Sequence, residues 1–234
     1  MYELAGPVVY RRSPEELAAE GHLAQFRRRR IPIDLSDDEA LRYGVLMNEW
    51  KWFLARNRAA LSQGGDFFGT LIRRSGSDPA ARAALRAHHQ ARMIALNAEA
   101  KISVAAGILA DHRADKVLIF SEYNLLVDQV ARRLGLPSIT YRTPPDERRA
   151  ALAGFRSGAY SKLVAGRVLN EGVDVPDAAV AIVLSGSAAP REQIQRLGRI
   201  LRPKQREAVL YELVTRHTSE VGASRRRNAR RREA

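Results

Sequence analysis

The protein has 234 residues, 45% of them hydrophobic, which is enough for one large domain or for one domain with a smaller appendage. Its 39 Lys and Arg residues exceed its 26 Asp and Glu residues by a formal net charge of +13, which favours a polyanionic partner. The lack of cysteine excludes disulfides, thiolate zinc sites and cysteine nucleophiles, and no apolar run approaches the ~18 residues of a membrane span, so we expect a cytoplasmic protein with no membrane partner.

The first 35 residues have strand and turn character. The segment Ser13–Glu16 (SPEE) is typical of a helix start, with a capping serine, a first-turn proline and a glutamate in order. Further on, four arginines at 27–30 lie between Phe26 and the alternating Ile31 and Ile33. This run predicts a strand with one charged face, which is either an edge strand of a sheet or a direct DNA contact.

Two long helices are predicted next. Residues 36–62 carry a helical pattern of apolar residues after a capping box at Ser36–Glu39. Residues 79–112 predict a second helix, which would begin at Asp78-Pro79. Its buried stripe would hold Leu85, Ile94, Ile102 and Leu109. Helices joined in this way predict an antiparallel hairpin inserted into the chain.

The segment that joins the two helices is Gly-rich and polar but contains Phe67 and Phe68. One interpretation is that these rings pack on the segment's own Leu71 and Ile72. His88 and His89 have no metal-ligand companions at usable spacing. We therefore predict no metal site and place both histidines on the helix surface.

From Lys116 onward, short apolar runs alternate with helical patterns. Strands are predicted at VLIF, SITY, KLVAG, AVAIVLS and AVLYELV, and helices near 123–134, 145–156 and 190–201. A third helix start, Thr143–Asp146 (TPPD), would open the second of these helices. The alternation predicts an α/β fold in which a parallel sheet is flanked by helices.

One predicted helix carries a row of arginines. At ~100° per residue, one arc of this helix collects Arg191, Gln195, Gly198, Arg199 and Arg202, and the opposite arc is apolar. Guanidinium groups in a row suit phosphate oxygens, because their donor forks are bidentate and stay charged. The alternative is an ordinary amphipathic helix with a solvated basic face.

A turn with the sequence NEGVDVP, at 170–176, follows the predicted strand KLVAG. It would lie at the carboxyl end of a parallel strand, where α/β folds place their sites.

Together these segments resemble the second motor domain of XPB-type DNA helicases of superfamily 2. IVLSGSAAPREQIQRLGRILRPK resembles motif VI, LNEGVDVPDA motif V and KVLIFSEYNLLVDQVARRL motif IV. TYRTPPDERRAALAGFRSG resembles the segment after motif IV, and the resemblance covers nearly the whole chain. It implies a RecA-like sheet flanked by helices at 113–221, preceded by a leading segment at 1–35 that belongs to the same domain. It also implies a helical thumb insertion at 36–112 and a basic disordered tail at 222–234.

The resemblance implies roles for particular residues. Arg199 and Arg202 match arginine fingers, which stabilise charge on the transferred γ-phosphate. Gln195 matches a position near the nucleotide, as do Gly172 and Asp174 of motif V, which couple the nucleotide state to the grip on DNA.

Other matches imply contacts with DNA. Ser121, Thr143 and Arg167 match positions near the DNA backbone. The hairpin resembles, in kind, a thumb that clasps DNA, and its tip at Phe67 and Phe68 would then stack on a base or wedge a junction. The chain departs from the family at Ala165-Gly166, where hydroxyl residues are common, and at Asn170, where an acid or glycine is common.

No G-x-x-x-x-G-K-[S/T] phosphate loop and no D-E-x-H run occurs in the chain. ATP and Mg²⁺ would therefore be held mainly by a first RecA-like domain, in cis or in trans, and this chain alone is expected not to hydrolyse ATP. DNA is the expected partner, and a nuclease is a further candidate. The alternative function is a non-catalytic DNA-binding or partner-binding module with a helicase-like fold, whose tail from Arg225 (RRRNARRREA) would hold nucleic acid.

Overall fold

The computed structural model describes residues 26–62, 66–167, 178–186 and 208–228. The chain divides into two compact units. The sheet unit takes in residues 104–213 with those up to 31 and from 223 onward, and the helical unit takes in residues 32–103 and 214–222. The domain bounds implied by the resemblance stay a prediction, because these units follow spatial contacts and not the division of the family.

In the described residues, the sheet has six strands in the order β1-β6-β5-β2-β4-β3. They are β1 (Phe26–Ile33), β2 (Val117–Phe120), β3 (Ser138–Ile139), β4 (Lys162–Ala165), β5 (Val180–Val183) and β6 (Ala208–Thr215). The pairs β2–β4, β2–β5, β3–β4 and β5–β6 are parallel. All five apolar runs that the sequence marks as strands after Lys116 are confirmed, and so is the parallel sheet.

The central strands are buried along their whole length. Every residue of β2 and of β5 is buried, as expected of parallel strands that helices cover on both faces. Helices α5 (Asn124–Leu134) and α6 (Pro145–Ser157) belong to the same unit, and Phe155 of α6 is fully buried in a cluster with Leu118 and Leu163. This core fixes the positions at which the strands end.

The arginine run forms an edge strand. β1 is the outermost strand of the sheet, next to β6, and Arg27, Arg29 and Arg30 are exposed on it. Charges of this kind protect an edge from pairing with other chains. Of the two interpretations of the run, the edge strand is confirmed, and a direct DNA contact stays a prediction.

The helical unit is built on α1 (Asp37–Ser62), α2 (Phe67–Ser75) and α3 (Pro79–Leu96). Two further helices, α4 (Ala100–Asp111) and α7 (Ser219–Asn228), have residues in both units. α3 packs against α1 and α2, and Trp50, Phe53, Leu61, Leu71, Ala81 and Ala84 form the cluster between them. The alanines are small, so the helices approach closely.

The prediction of a single helix over 79–112 is wrong, because the helix is interrupted after Leu96 and a second helix begins at Ala100. The side-chain amide of Asn97 donates to the Met93 carbonyl at 2.9 Å and its backbone N–H donates to the same oxygen at 3.0 Å. Asparagine competes with helical hydrogen bonding in this way.

Although Pro79–Asp111 has the length and mean hydropathy of a membrane span, the buried and ion-paired Lys101 lies within it.

The predicted buried stripe is confirmed at Ile102, which is buried, and is wrong at Leu85, Ile94 and Leu109, which are only partly buried. The buried residues of α3 are alanines at positions 81, 84, 87, 91 and 95, with Leu96. The pattern of aliphatic residues predicted burial of the larger leucine and isoleucine side chains. The buried positions of α3 are instead occupied mainly by alanine, because small side chains allow close helix packing.

Helix capping explains two of the predicted helix starts. Ser36 Oγ accepts from the Glu39 N–H at 3.3 Å, and Glu39 Oε2 accepts from the Ser36 N–H at 3.0 Å, which confirms the capping box. Asp78 accepts from the N–H groups of Ala80 and Ala81. At α6 the start is confirmed, but Pro144 precedes the helix and no side chain caps it.

Candidate functional site

Polar residues collect where the parallel strands of the sheet unit end. Because β2 to β5 run parallel, their carboxyl ends meet at one edge of the sheet, which is where α/β folds bind ligands. We call this the carboxyl edge and define it by the residues that follow the strands: Ser121, Asn124, Thr140 to Thr143, Gly166, Arg167 and Ser185. The predicted residues Ser121, Thr143 and Arg167 all lie on it.

Ser121 follows β2, and its hydroxyl is bonded within the protein. The residue is 2% exposed. Its Oγ lies 2.8 Å from Ser185 Oγ and accepts from the Tyr123 N–H at 3.1 Å. The pair of serines thus joins the ends of β2 and β5 and shapes the turn into α5. Contact of Ser121 with DNA stays a prediction.

Thr143 closes a braced loop after β3. Its Oγ1 accepts from the Thr140 N–H at 2.9 Å, and its own N–H donates to the Thr140 carbonyl at 3.1 Å. Arg148 of α6 donates to the Thr143 carbonyl at 3.3 Å, and Thr140 Oγ1 accepts from the Arg142 N–H at 3.3 Å. The loop backbone is therefore held in place by its own hydroxyls.

Two exposed side chains extend from this loop. Tyr141 is 62% exposed, and Arg142 Nε donates to its hydroxyl at 3.0 Å. That hydrogen bond raises the pKa of Arg142. Arg167, which follows β4, is exposed at the same edge, so two guanidinium groups lie there.

Gly166 makes the closest approach at the carboxyl edge. Its N–H donates to the Ile139 carbonyl at 2.8 Å. A Cβ atom at this position would lie 2.8 Å from Asn124 Oδ1 and 3.8 Å from the Thr140 Cα. The departure from the family at Ala165-Gly166 thus has a local cause: Ala165 is fully buried and Gly166 leaves room for the Asn124 side chain.

We expect Gly166→Ala to destabilise the sheet unit by about 1–3 kcal/mol, since the new methyl group overpacks the site unless Asn124 moves. The double variant Gly166→Ala/Asn124→Ala should regain most of this loss. Thermal unfolding followed by circular dichroism measures both effects.

The matched control is Gly107→Ala, because a Cβ atom there meets nothing within 4 Å. It lies inside α4 and should stabilise the protein by about 0.5–1 kcal/mol. Strictly additive effects of the two substitutions at 124 and 166 would contradict the contact.

The two phenylalanines of the helical unit have different environments. Phe67 packs on the cluster that contains Leu71, whereas Phe68 is 45% exposed. Phe68 meets His88 edge to face, with ring centroids 6.1 Å apart, and His88 stacks on Trp50 at 4.5 Å. His88 is therefore half-buried and not a plain surface residue as predicted. Burial, then the charge of Arg92, lowers the pKa of His88.

Other predicted residues lie outside the described residues: Gly172, Asp174, Gln195, Arg199 and Arg202. The segment Ser13–Glu16 and the end of the basic tail lie outside them too. Their roles stay predictions. Within the described ranges, no group of three or more His, Asp or Glu residues is arranged to hold a metal ion.

Comparison with known proteins places the chain among relatives of one kind. Residues 83–230 match the family model of the ERCC3/RAD25/XPB C-terminal helicase. The chain is 40% identical over 224 residues to a DNA 3'-5' translocase XPB2 of Sulfurisphaera tokodaii, with 96% of this chain and 51% of the relative covered. It is 40% identical over 132 residues to a DNA 3'-5' helicase XPB of Mycobacterium tuberculosis, with 54% of this chain and 24% of that one covered.

Solved structures support the fold. The C-terminal part of the Fun30 ATPase domain matches with a TM-score of 0.62 at 14% identity and covers 91% of this chain and 92% of that one. The Hef helicase domain of Pyrococcus furiosus matches with a TM-score of 0.55 at 15% identity and covers 91% of this chain and 60% of that one. The predicted RecA-like arrangement of parallel sheet and flanking helices is confirmed.

Proposed function

The chain belongs to the ERCC3/RAD25/XPB C-terminal helicase family, and from this premise we propose that it is the second motor domain of an ATP-dependent DNA helicase or translocase. The chain spans about half the length of the Sulfurisphaera tokodaii relative. A first RecA-like domain would supply the main ATP-binding site of the motor.

The carboxyl edge supports the proposed grip on DNA. Thr143 and Arg167 follow neighbouring parallel strands, and the loop that carries Thr143 is braced by its own hydrogen bonds. Rigid placement of hydroxyl and guanidinium donors suits the contact with a phosphate backbone. This collection of the predicted DNA contacts on one edge is the observation that carries the proposal. Phe68, exposed on the helical unit, would add a contact from the thumb.

We propose that Arg199 and Arg202 act as arginine fingers, and that Gln195, Gly172 and Asp174 lie near the nucleotide. The support is the resemblance of LNEGVDVPDA and of QRLGRILR to motifs V and VI, together with the family match that spans them. Guanidinium groups would stabilise the charge that spreads over the transferred phosphoryl oxygens.

ATP and Mg²⁺ would be held mainly by the first motor domain, because no phosphate loop occurs in this chain. The chain alone would then be inactive as an ATPase and would work in the cytoplasm, with DNA as its track. Relatives are named 3'-5' helicases and translocases, and we propose the same polarity here. A nuclease stays a candidate partner.

Reconstitution tests the proposal. We expect that neither this chain nor a first motor domain of an XPB relative hydrolyses ATP appreciably alone, and that their mixture does so when DNA is added. Steady-state phosphate release with and without DNA measures this.

DNA-stimulated hydrolysis by this chain alone would contradict its proposed dependence on a first domain. DNA binding without any ATPase activity in the mixture would favour the non-catalytic module instead. A variant of the first domain without its phosphate-loop lysine is the control, because it cannot cradle the nucleotide.

A further inference from the structure

One large apolar side chain is exposed on the described part of the carboxyl edge, that of Tyr141, and a second, that of Leu125, is exposed on the residue after Asn124. Within the described part of the sheet unit, only Leu125 and Tyr141 are large hydrophobic residues that stay exposed, at 53% and 62%. Each follows a strand of the same parallel sheet, Leu125 after β2 and Tyr141 after β3. Single exposed hydrophobic residues are ordinary, but both of these lie beside the proposed backbone contacts.

A chain of contacts connects these two positions. Leu125 adjoins Asn124, whose Oδ1 lies against Gly166, and the position of a Gly166 Cβ lies 3.8 Å from the Thr140 Cα. Thr140 in turn adjoins Tyr141. Leu125 and Tyr141 thus each adjoin a residue of the carboxyl edge in sequence, Leu125 beside Asn124 and Tyr141 beside Thr140.

The Tyr141 ring is held by its loop. Its hydroxyl accepts from Arg142 Nε at 3.0 Å, with the guanidinium carbon 5.3 Å from the ring centroid. The loop beneath is fixed by the bonds between Thr140 and Thr143. An aromatic ring on a braced loop loses little conformational entropy when a flat partner packs on it.

We propose that Tyr141 is a stacking platform for an unpaired DNA base, next to the phosphate contacts of Thr143 and Arg167. This inference rests on the proposed function and specifies the form of its substrate. The cationic groups Arg142 and Arg167 favour a nucleic acid as the occupant. A base inside a duplex already stacks on its neighbours, so the platform would select single-stranded DNA.

The experiment measures binding of this protein to fluorescent oligodeoxynucleotides of about 15 nucleotides, near the upper site sizes of single-strand binders. Tyr141→Ala is expected to weaken binding of single-stranded DNA about 5- to 100-fold, the range expected for loss of one stacked base. Tyr141→Phe keeps the ring and should bind within about twofold of the wild type. An oligonucleotide made of abasic sites, which has phosphates but no bases, should not distinguish wild type from Tyr141→Ala.

Arg167→Gln separates this inference from the proposed function. If Arg167→Gln weakens binding but Tyr141→Ala does not, stacking is overturned and the backbone grip stands. If neither substitution changes binding, or the protein binds no DNA, both are overturned. Equal losses for Tyr141→Ala and Tyr141→Phe would assign the effect to the hydroxyl bond with Arg142 and overturn the platform.

Discussion

Arg202→Ala or Arg199→Ala is expected to lower DNA-stimulated ATP hydrolysis about 10³- to 10⁵-fold in the enzyme assembled with its first motor domain. The transferred phosphoryl group spreads negative charge over its oxygens, and a guanidinium aimed at that charge stabilises the transition state more than the ground state. DNA binding should be largely kept, because the proposed backbone contacts lie on Ser121, Thr143 and Arg167. The loss should therefore appear in kcat and not in DNA affinity.

Arg113→Ala is the matched control for these variants. Arg113 is exposed and precedes β2, at the opposite end of the strand from the carboxyl edge. The substitution Arg113→Ala removes the same charge at a distance from the proposed site, so the rate of ATP hydrolysis should stay near that of the wild type. Rates close to wild type for both Arg199→Ala and Arg202→Ala would remove the arginine-finger role and leave a basic helix.

The sheet was predictable because its strands carry a simple signal. VLIF and AVAIVLS are short, continuous apolar runs between helical patterns, and such runs are typical of parallel strands that are covered on both faces. The capping box at Ser36–Glu39 was equally local, since both partners lie within four residues. Features determined by neighbouring residues are thus readable from one sequence.

Most features that sequence reasoning missed depend on long-range contacts, and one is local. The break after Leu96 is local, since Asn97 bonds back to Met93 four residues earlier, but one asparagine in an apolar pattern is a weak signal. The alanine stripe of α3, in contrast, needs close packing against α1. At the site, Ser121 and Ser185 are 64 residues apart, and their hydroxyl contact has no signature in either segment. Tyr141 ends the apolar run SITY, which predicts a strand, and only its exposure distinguishes it from a buried strand residue.

A buried ion pair in the helical unit also escaped prediction. Lys101 Nζ donates to Glu220 Oε1 at 2.9 Å, to Oε2 at 2.8 Å and to the Leu96 carbonyl at 3.1 Å. The two charged side chains are 0% and 1% exposed. Glu220 also accepts from the Thr215 N–H at 2.9 Å, and Thr215 Oγ1 donates to the Ala95 carbonyl at 2.7 Å. These bonds connect the end of α3 and the start of α4 to Thr215, the last residue of β6, and to Glu220 of α7.

Lys101→Met is expected to lower the free energy of unfolding of the helical unit by about 3–5 kcal/mol, because it leaves the Glu220 carboxylate buried without a cation. The double variant Lys101→Met/Glu220→Leu should recover most of the loss, since well-packed apolar residues can replace a buried pair at little cost. Recovery would show that the penalty comes from the stranded charge and not from the missing methylene packing of lysine.

Tryptophan fluorescence during urea unfolding makes this measurement specific to the helical unit. Both tryptophans of the chain, Trp50 and Trp52, lie on α1, and Trp50 is buried against His88. Lys51→Met removes an exposed lysine of the same unit and should leave the urea midpoint unchanged, because exposed charges contribute little to stability. A midpoint for Lys101→Met equal to that of Lys51→Met would mean that the ion pair does not stabilise the helical unit. A double variant as unstable as the single one would point instead to the hydrogen bonds of Leu96 and Thr215, which neither apolar side chain can replace.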